Sequence, residues 1–523
     1  LDNPWESIMG CFALRSTERK SCVLLTMILL LLGAGNLYAA EEPVPTFEAL
    51  YEHQCATCHG AELLGEALGV PLVGGELLHG QSLEELAQSI AEGYPGSGMP
   101  SWSETLSTDQ IRTLAVFIAE ERDAMPMGDF NIGTPIIIPE EAVATNKHSF
   151  MVEPVVEGLD ELVFSMEILP DGQFLVTEKT RGLRLISADG QQSTLIQGTP
   201  TAHHDEPTPR RGMGWLLEVM LHPNYAENGW IYLQYGDRCE DCNSLSRRFN
   251  FPVSMNKLVR GRIEGDQWVD QETVFEFDVE TYQLGSDIGA GGRIAIDEEG
   301  HLFFSIGAKS LNTMSGVQDL SMPWGKIHRI NLDGSVPQDN PYVGDPNALD
   351  SIWSRGHRSP QGLEINPLNG DLWSTEMGPR GGDELNFIEP GNNYGWPLYS
   401  LGLNYSGTEV NYGRDELELF RIEDIEMPMV DFTPSPAVSS IIFYQGDAFP
   451  EWKNDIFMGT LKSQQLFRFS VEENRVIEQE ILLDDFARVK DIESGADGEI
   501  YLLLENAEGS KIVRLVPELV EVD

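Results

Sequence analysis

Gly356-His357-Arg358-Ser359-Pro360-Gln361-Gly362 opens the most informative segment of the chain. The segment continues with Asn369-Gly370-Asp371-Leu372-Trp373, then Glu376-Met377-Gly378-Pro379-Arg380-Gly381-Gly382-Asp383-Glu384, then Gly391-Asn392-Asn393-Tyr394-Gly395-Trp396-Pro397. Glycine, proline and asparagine are dense enough that most of it must be turn and loop around one short strand. Long ordered loops of this kind usually carry function on a rigid scaffold. Arg358 offers a planar fork of donors for a carboxylate. Gly378 and Pro379 present carbonyls, and Asp383 and Glu384 adjacent carboxylates, the hard oxygen ligands that Ca2+ takes. Composition alone favours a plainer reading, a glycine-rich surface loop with a solvated acidic pair.

Outward from this segment one pattern recurs, a turn feeding a short apolar strand. It appears at Asp171-Gly172-Gln173-Phe174-Leu175-Val176, Asn228-Gly229-Trp230-Ile231-Tyr232-Leu233 and Glu299-Gly300-His301-Leu302-Phe303-Phe304. It returns at Asn369-Gly370-Asp371-Leu372-Trp373, Asn454-Asp455-Ile456-Phe457-Met458 and Asp497-Gly498-Glu499-Ile500-Tyr501-Leu502. Each is a turn signal before a buried strand. Six such units, unevenly spaced, predict six sheets arranged radially over residues 151–520, an all-β six-bladed β-propeller with insertions between blades. A stacked pair of β-sandwiches is the alternative. In a propeller, loops from several blades meet at the axis, and the Arg358 and Gly378 loops, Lys462 and the Arg488-Val489-Lys490-Asp491 cluster are expected there.

The order of residues in the opening segment closely resembles the glucose/sorbosone dehydrogenase family, the quinoprotein glucose and aldose sugar dehydrogenases that use pyrroloquinoline quinone (PQQ). That family shows an Arg-Asn-Pro-Gln-Gly turn, a Gly-Pro followed by Asp-Glu, and an Asn-Tyr-Gly-Trp-Pro run. The resemblance implies the same propeller, and oxidation of a sugar or related alcohol or aldehyde. It implies that Arg358, Lys462, Arg488 and Lys490 bind the tricarboxylate quinone, with Lys490 where the pattern usually has arginine. It also implies Ca2+ at Gly378, Pro379, Asp383 and Glu384.

The chain departs from that family where a proton must be removed. The family's basic histidine precedes a Gly-Arg pair; here the segment is Leu284-Gly285-Ser286-Asp287-Ile288-Gly289-Ala290-Gly291-Gly292-Arg293, with Gly289 near its place. Met213 replaces a glutamine, Ser359 an asparagine and Ala308 an aspartate. Loss of a general base costs roughly 10²–10⁴-fold in rate. Asp287 and the His203-His204-Asp205 loop are the candidates to replace it, with Arg358 beside the reacting centre; His357 matches a family position and reads as structural. A propeller that binds a carbohydrate or a partner without turnover is the alternative function.

Residues 45–124 read as a separate all-α domain. Ser82 with Glu85 and Ser107 with Gln110 form capping boxes, and Ile111, Leu114, Ala115 and Ile118 follow helical spacing. Thr46 is placed to cap the first helix. Between helices sits Cys55-Ala56-Thr57-Cys58-His59, the C-x-x-C-H signature of covalent haem attachment. The thiols hold the haem vinyls and His59 faces the iron. Met99, in Gly98-Met99-Pro100, supplies the sixth ligand, ahead of Met125 and Met127, which fall in the connection. The segment resembles class I cytochromes c, and methionine–histidine ligation raises the iron potential as an electron acceptor requires.

Residues 1–40 read as a signal peptide, with Arg15, Arg19 and Lys20 before the apolar run Val23–Leu32 and small residues at Leu37-Tyr38-Ala39-Ala40. That run is too short to span a bilayer comfortably, so no stable membrane span is expected after cleavage. The expected location is periplasmic or secreted. Residues 125–150, with Pro126, Pro135 and Pro139, read as a linker. The net charge of -50 repels nucleic acid and anionic membranes. The partners expected are a small sugar or alcohol and an external electron acceptor, a soluble cytochrome or a respiratory chain. Cys239 and Cys242 read as a local disulfide clip.

Overall fold

The computed structural model describes residues 47–66, 68–123, 132–205, 212–309, 314–412 and 421–518. The leader read at 1–40, Thr46, Met125 and Met127 lie outside them.

Four helices form the N-terminal part: α1 (Phe47–Gln54), α2 (Ala56–His59), α3 (Leu83–Glu92) and α4 (Thr108–Arg122). Both capping boxes form as the sequence predicts. Ser82 Oγ accepts from Glu85 N while Glu85 Oε2 accepts from Ser82 N, and Ser107 and Gln110 repeat the exchange. Each satisfies backbone donors that a helix start leaves open. The apolar faces of α1, α3 and α4 then close on one core of Phe47, Leu50, Tyr51, Leu86, Ile90, Ile111, Leu114, Ala115 and Ile118.

The remainder is a six-bladed β-propeller. Six antiparallel sheets stand side by side, and their first strands form a closed ring around the axis. Those first strands are Val163–Ile168, Leu216–Leu221, Gly291–Ile296, Pro360–Ile365, Val438–Phe443 and Arg488–Ser494, which define blades one to six. The six turn-and-strand units of the sequence are the second strands, one per blade: Phe174–Glu178, Ile231–Cys239, His301–Ile306, Leu372–Glu376, Ile456–Thr460 and Ile500–Glu505. Every first strand loses register against its second near the axis, as between Val163 and Met166 or between Val489 and Asp491. Such bulges re-aim side chains, and here they turn a polar set inward where six strands converge.

The ring is closed by the propeller's first and last strands. Strand Ser149–Leu159 pairs antiparallel with Ser510–Pro517 and completes blade six. Of the linker expected at 125–150, the described residues 132–150 are therefore partly sheet and partly packed. Ile136, Ile138 and Val143 lie against the core of blade six, and Ala507 N donates to Ile132 O at 2.8 Å. Apolar isoleucines in the Thr134–Pro139 stretch favour burial over a free connection. The disulfide expected between Cys239 and Cys242 is formed.

Candidate active site at the propeller axis

First strands begin, and second strands end, at one face of the propeller, because each pair is antiparallel. This gathers residues distant in sequence. Arg488 and Lys490 open blade six, Arg358 precedes the first strand of blade four, and Lys462 follows the second strand of blade five. Gly378 follows the second strand of blade four, while Asp287 and His203 lie in segments entering blades three and two.

The axis carries a cluster of buried cations. Arg293 Nη1 lies 2.8 Å from both Glu218 Oε2 and Asp491 Oδ1, and its Nε donates to Gln361 O at 2.6 Å. Above it, the ring of Phe164 has Lys490 Nζ 4.6 Å and Arg293 Cζ 4.7 Å from its centroid. Lys179 Nζ sits 5.5 Å from the Trp215 ring and 3.4 Å from Glu505 Oε1, while Arg488 Nη2 is 2.7 Å from Glu505 Oε2. Burial alone would raise Glu505, but Lys179, Arg488 and Lys490 hold it down at about 2. Lys490 is pushed well below the ordinary lysine range, by burial first and then by the charges of Lys179 and Arg293. Trp215 Nε1 is buried with no acceptor among the described residues. An apolar floor, an orphaned donor and a cluster of buried cations fit an aromatic polycarboxylate.

Of the four cations expected around such a ligand, Arg488 is ion-paired with Glu505, whose charge also acts on buried Lys490, and Lys490 Nζ lies 3.4 Å from Gln361 Oε1. Lys462 is buried beside them, since Arg488 Nη1 donates to the carbonyl of the preceding Leu461 at 3.3 Å. Arg358 belongs to a neighbouring group. Its Nη1 donates to Met377 O and Gly378 O at 2.8 Å each, its Nη2 reaches Tyr405 Oη at 3.3 Å, and its Cζ lies 5.3 Å from the Trp396 ring centroid. Arg358, Met377, Gly378 and Trp396 line a small open crevice together with Glu376, Glu384 and Tyr399. Trp396 Nε1 is a second buried donor with no acceptor among the described residues.

The expected Ca2+ ligands do not form one coordination shell. The Gly378 carbonyl is engaged by Arg358. Asp383 braces the turn instead, accepting from Gly378 N at 2.9 Å and Val438 N at 3.0 Å, and burial pushes it up to about 6. Glu384 faces Glu376 across the strand pair; burial first, and then Glu376, raise it well above the carboxylate range. No group of three or more His, Cys, Asp or Glu side chains among the described residues is placed to hold a metal ion.

Asp287 is not available as a base. Its carboxylate accepts from Gly214 N at 2.7 Å, Trp215 N at 3.1 Å, Ser254 Oγ at 2.9 Å and Lys309 Nζ at 2.8 Å, and it is buried. It ties the segment entering blade two to blade three. His203 is half-buried, and its ring packs on Gly214, where a Cβ would stand 2.6 Å from His203 Cδ2. Burial first, then the Arg238 charge, lowers its basicity, so the imidazole is neutral at neutral pH.

In the helical domain, His59 Nδ1 lies 2.8 Å from Val70 O, which leaves Nε2 for iron. Cys55, at the start of α2, and Cys58 within it are half-buried on the same short helix as His59. Met99 is held by paired backbone bonds with Tyr94.

Sequence reasoning missed Lys179, Phe164, Trp215, Glu505 and Lys309. Lys179 alone carried a local signal, a cation directly after a second strand, as Lys462 is.

Residues 160–514 match the family model for Glucose / Sorbosone dehydrogenase, and residues 42–118 that for Cytochrome C oxidase, cbb3-type, subunit III. The chain is 33 % identical over 381 residues to Aldose sugar dehydrogenase YliI of Escherichia coli K12, covering 72 % of this chain and 95 % of that one. The solved apo-form of the soluble aldose sugar dehydrogenase from Escherichia coli is similar at a TM-score of 0.60 and 32 % identity, covering 71 % of this chain and 100 % of that one. The PQQ-bound aldose sugar dehydrogenase of Streptomyces coelicolor shares the fold, at a TM-score of 0.53 and 23 % identity over 73 % of this chain and 100 % of that one. The protein belongs to the glucose/sorbosone dehydrogenase family and carries a cytochrome c domain ahead of the propeller.

Proposed function

We propose that the protein is an exported quinohaemoprotein that oxidises a sugar or related alcohol or aldehyde and passes the electrons to its own haem. The observation that carries this reading is the axial cluster of Lys179, Arg293, Arg488 and Lys490 over Phe164 and Trp215, whose positive charge is suited to a tricarboxylate. Bound there, PQQ supplies a carbonyl that takes two electrons from the substrate. Lys490, Lys179, Arg488 and Lys462 would hold the carboxylates, and the indole N–H of Trp215 would gain an acceptor. Calcium has no part in the steps proposed, because Gly378, Pro379, Asp383 and Glu384 do not fit a shared ion.

His203 would take the substrate hydroxyl proton at a ring nitrogen. Its lowered basicity keeps it unprotonated at neutral pH, as a general base requires. Cys55, Cys58, His59 and Met99 would hold the haem. Export is supported by the leader-like residues 1–40 and by the Cys239–Cys242 disulfide. No helix among the described residues is long and apolar enough to cross a membrane.

A non-catalytic binding propeller is the second reading, and Gly289 in place of the family histidine favours it. Reduction of an electron dye by the quinone-loaded protein, across a panel of sugars and aldehydes, decides between them. Quinone-dependent bleaching supports the enzyme; none with any substrate supports the binder.

A further inference from the structure

The helical domain does not hang free of the propeller. The long segment between the third and fourth strands of blade four climbs back to the site face, and together with the Gly378–Gly382 turn it receives α1 and α4. Arg380 is the centre of this contact. Its guanidinium pairs with Glu120 of α4 through two nitrogens, Nε at 3.0 Å from Oε1 and Nη2 at 2.5 Å from Oε2. Both side chains are at most 3 % exposed, and Arg380 Cζ lies 3.3 Å from the Phe47 ring centroid. The backbone of Arg380 is bonded both ways to Leu403, whose side chain is part of the helical domain's own core. Thr113 Oγ1 donates to Gly407 O at 2.7 Å, and Arg112 to the Leu401 carbonyl.

Helix α4 bears Ile111, Leu114, Ala115 and Ile118 on its core side and Arg112, Thr113 and Glu120 on its propeller side, so one rigid element joins the haem-binding core to the propeller. The turn that carries Arg380 also carries Gly378, which receives Arg358, and Tyr405 of the docking segment touches Arg358 as well. The contact is thus built on the loops that shape the candidate site.

Resting on the functional reading above, we infer that Arg380 is a positioning residue, a clamp that fixes the haem domain on the site face so that electrons cross within one molecule. Oxidation of a hydroxyl to a carbonyl releases two electrons and two protons. One ferric haem accepts one electron, so two successive transfers are needed, with an external one-electron acceptor reoxidising the haem between them and the protons leaving to solvent. Docking holds the haem near the site for both transfers, which replaces a concentration-dependent encounter by a first-order step.

The test uses the full-length haem-bearing protein. Arg380→Ala leaves Glu120 buried and uncompensated, which opposes docking. The wild type is expected to unfold with coincident haem-absorbance and tryptophan-fluorescence transitions; in Arg380→Ala they separate. With quinone bound, Arg380→Ala is expected to reduce its haem at least about tenfold more slowly on sugar addition while direct dye reduction stays at the wild-type rate. The double variant Glu120→Met/Arg380→Met replaces the ion pair by apolar side chains and is expected to restore both readouts. Coincident transitions and an unchanged haem-reduction rate in Arg380→Ala overturn the clamp. If wild type reduces neither dye nor haem, the functional reading fails and the electron route falls with it, while the unfolding transitions still decide whether Arg380 docks the domains.

Discussion

The two cofactor regions of this chain are built in opposite ways. The haem attachment site is written in five consecutive residues, Cys55 to His59, with Met99 a short way downstream. The propeller site is assembled from all six blades, and its central ion pair, Lys179 with Glu505, joins residues 326 positions apart. A contiguous site survives changes elsewhere in the fold; a site spread around a ring exists only while the ring is closed. Mutations should separate the two accordingly.

The largest expected effect is all-or-none. Cys55→Ala/Cys58→Ala should abolish covalent haem, read as complete loss of haem absorbance in denatured protein, while tryptophan fluorescence still reports a folded propeller. Next, His203→Ala should lower kcat by roughly 10²–10⁴-fold. The pH profile sharpens this. Because the ring's basicity is lowered, the acid limb of kcat/KM in the wild type should lie below the ordinary imidazole value of about 6.5, and that limb should vanish in the variant.

Glu505→Gln probes the distributed site. It leaves Lys179, Arg488 and Lys490 without their shared carboxylate, and the quinone-free protein should lose about 3–5 kcal/mol in urea unfolding. Added PQQ should recover part of that loss, since its carboxylates replace the missing charge. Glu505 is depressed in the folded state, so its contribution in the wild type is complete above the ordinary carboxylate value of about 4.3. It is lost as the pH falls toward about 2. The smallest effect belongs to the local region: Ser82→Ala removes one side of a capping box and should cost about 1 kcal/mol, confined to the helical domain's transition.

How much of this could be read from the sequence follows the same division. The capping boxes at Ser82 and Ser107 and the six second strands depend on neighbours within a few residues, and each forms as expected; the haem signature is local in the same way. Arg488 and Lys490 were legible because they share one short strand. Asp287 was misread because proximity to the absent histidine suggested a base; what determines its state are backbone donors from blade two and Lys309 of blade three. The calcium set was read from the order Gly-Pro…Asp-Glu, which says nothing of where Arg358 places its guanidinium. Arg380 stands inside the opening segment, yet its partner Glu120 lies 260 residues earlier, and no local pattern announces that pairing. Phe164 looks like an ordinary core residue until the bulge of blade one turns it to the axis, and Trp215 until the Gly214–Trp215 backbone is tied down by Asp287.

The central claim is that the buried cations of the axis receive a polycarboxylate quinone. Titration of PQQ into the haem-bearing protein by calorimetry, beside the variant Lys490→Met, tests it most directly. The predicted result is one saturable site per chain whose affinity falls at least about tenfold in Lys490→Met. Absence of binding to the wild type, or equal binding to both proteins, would contradict it.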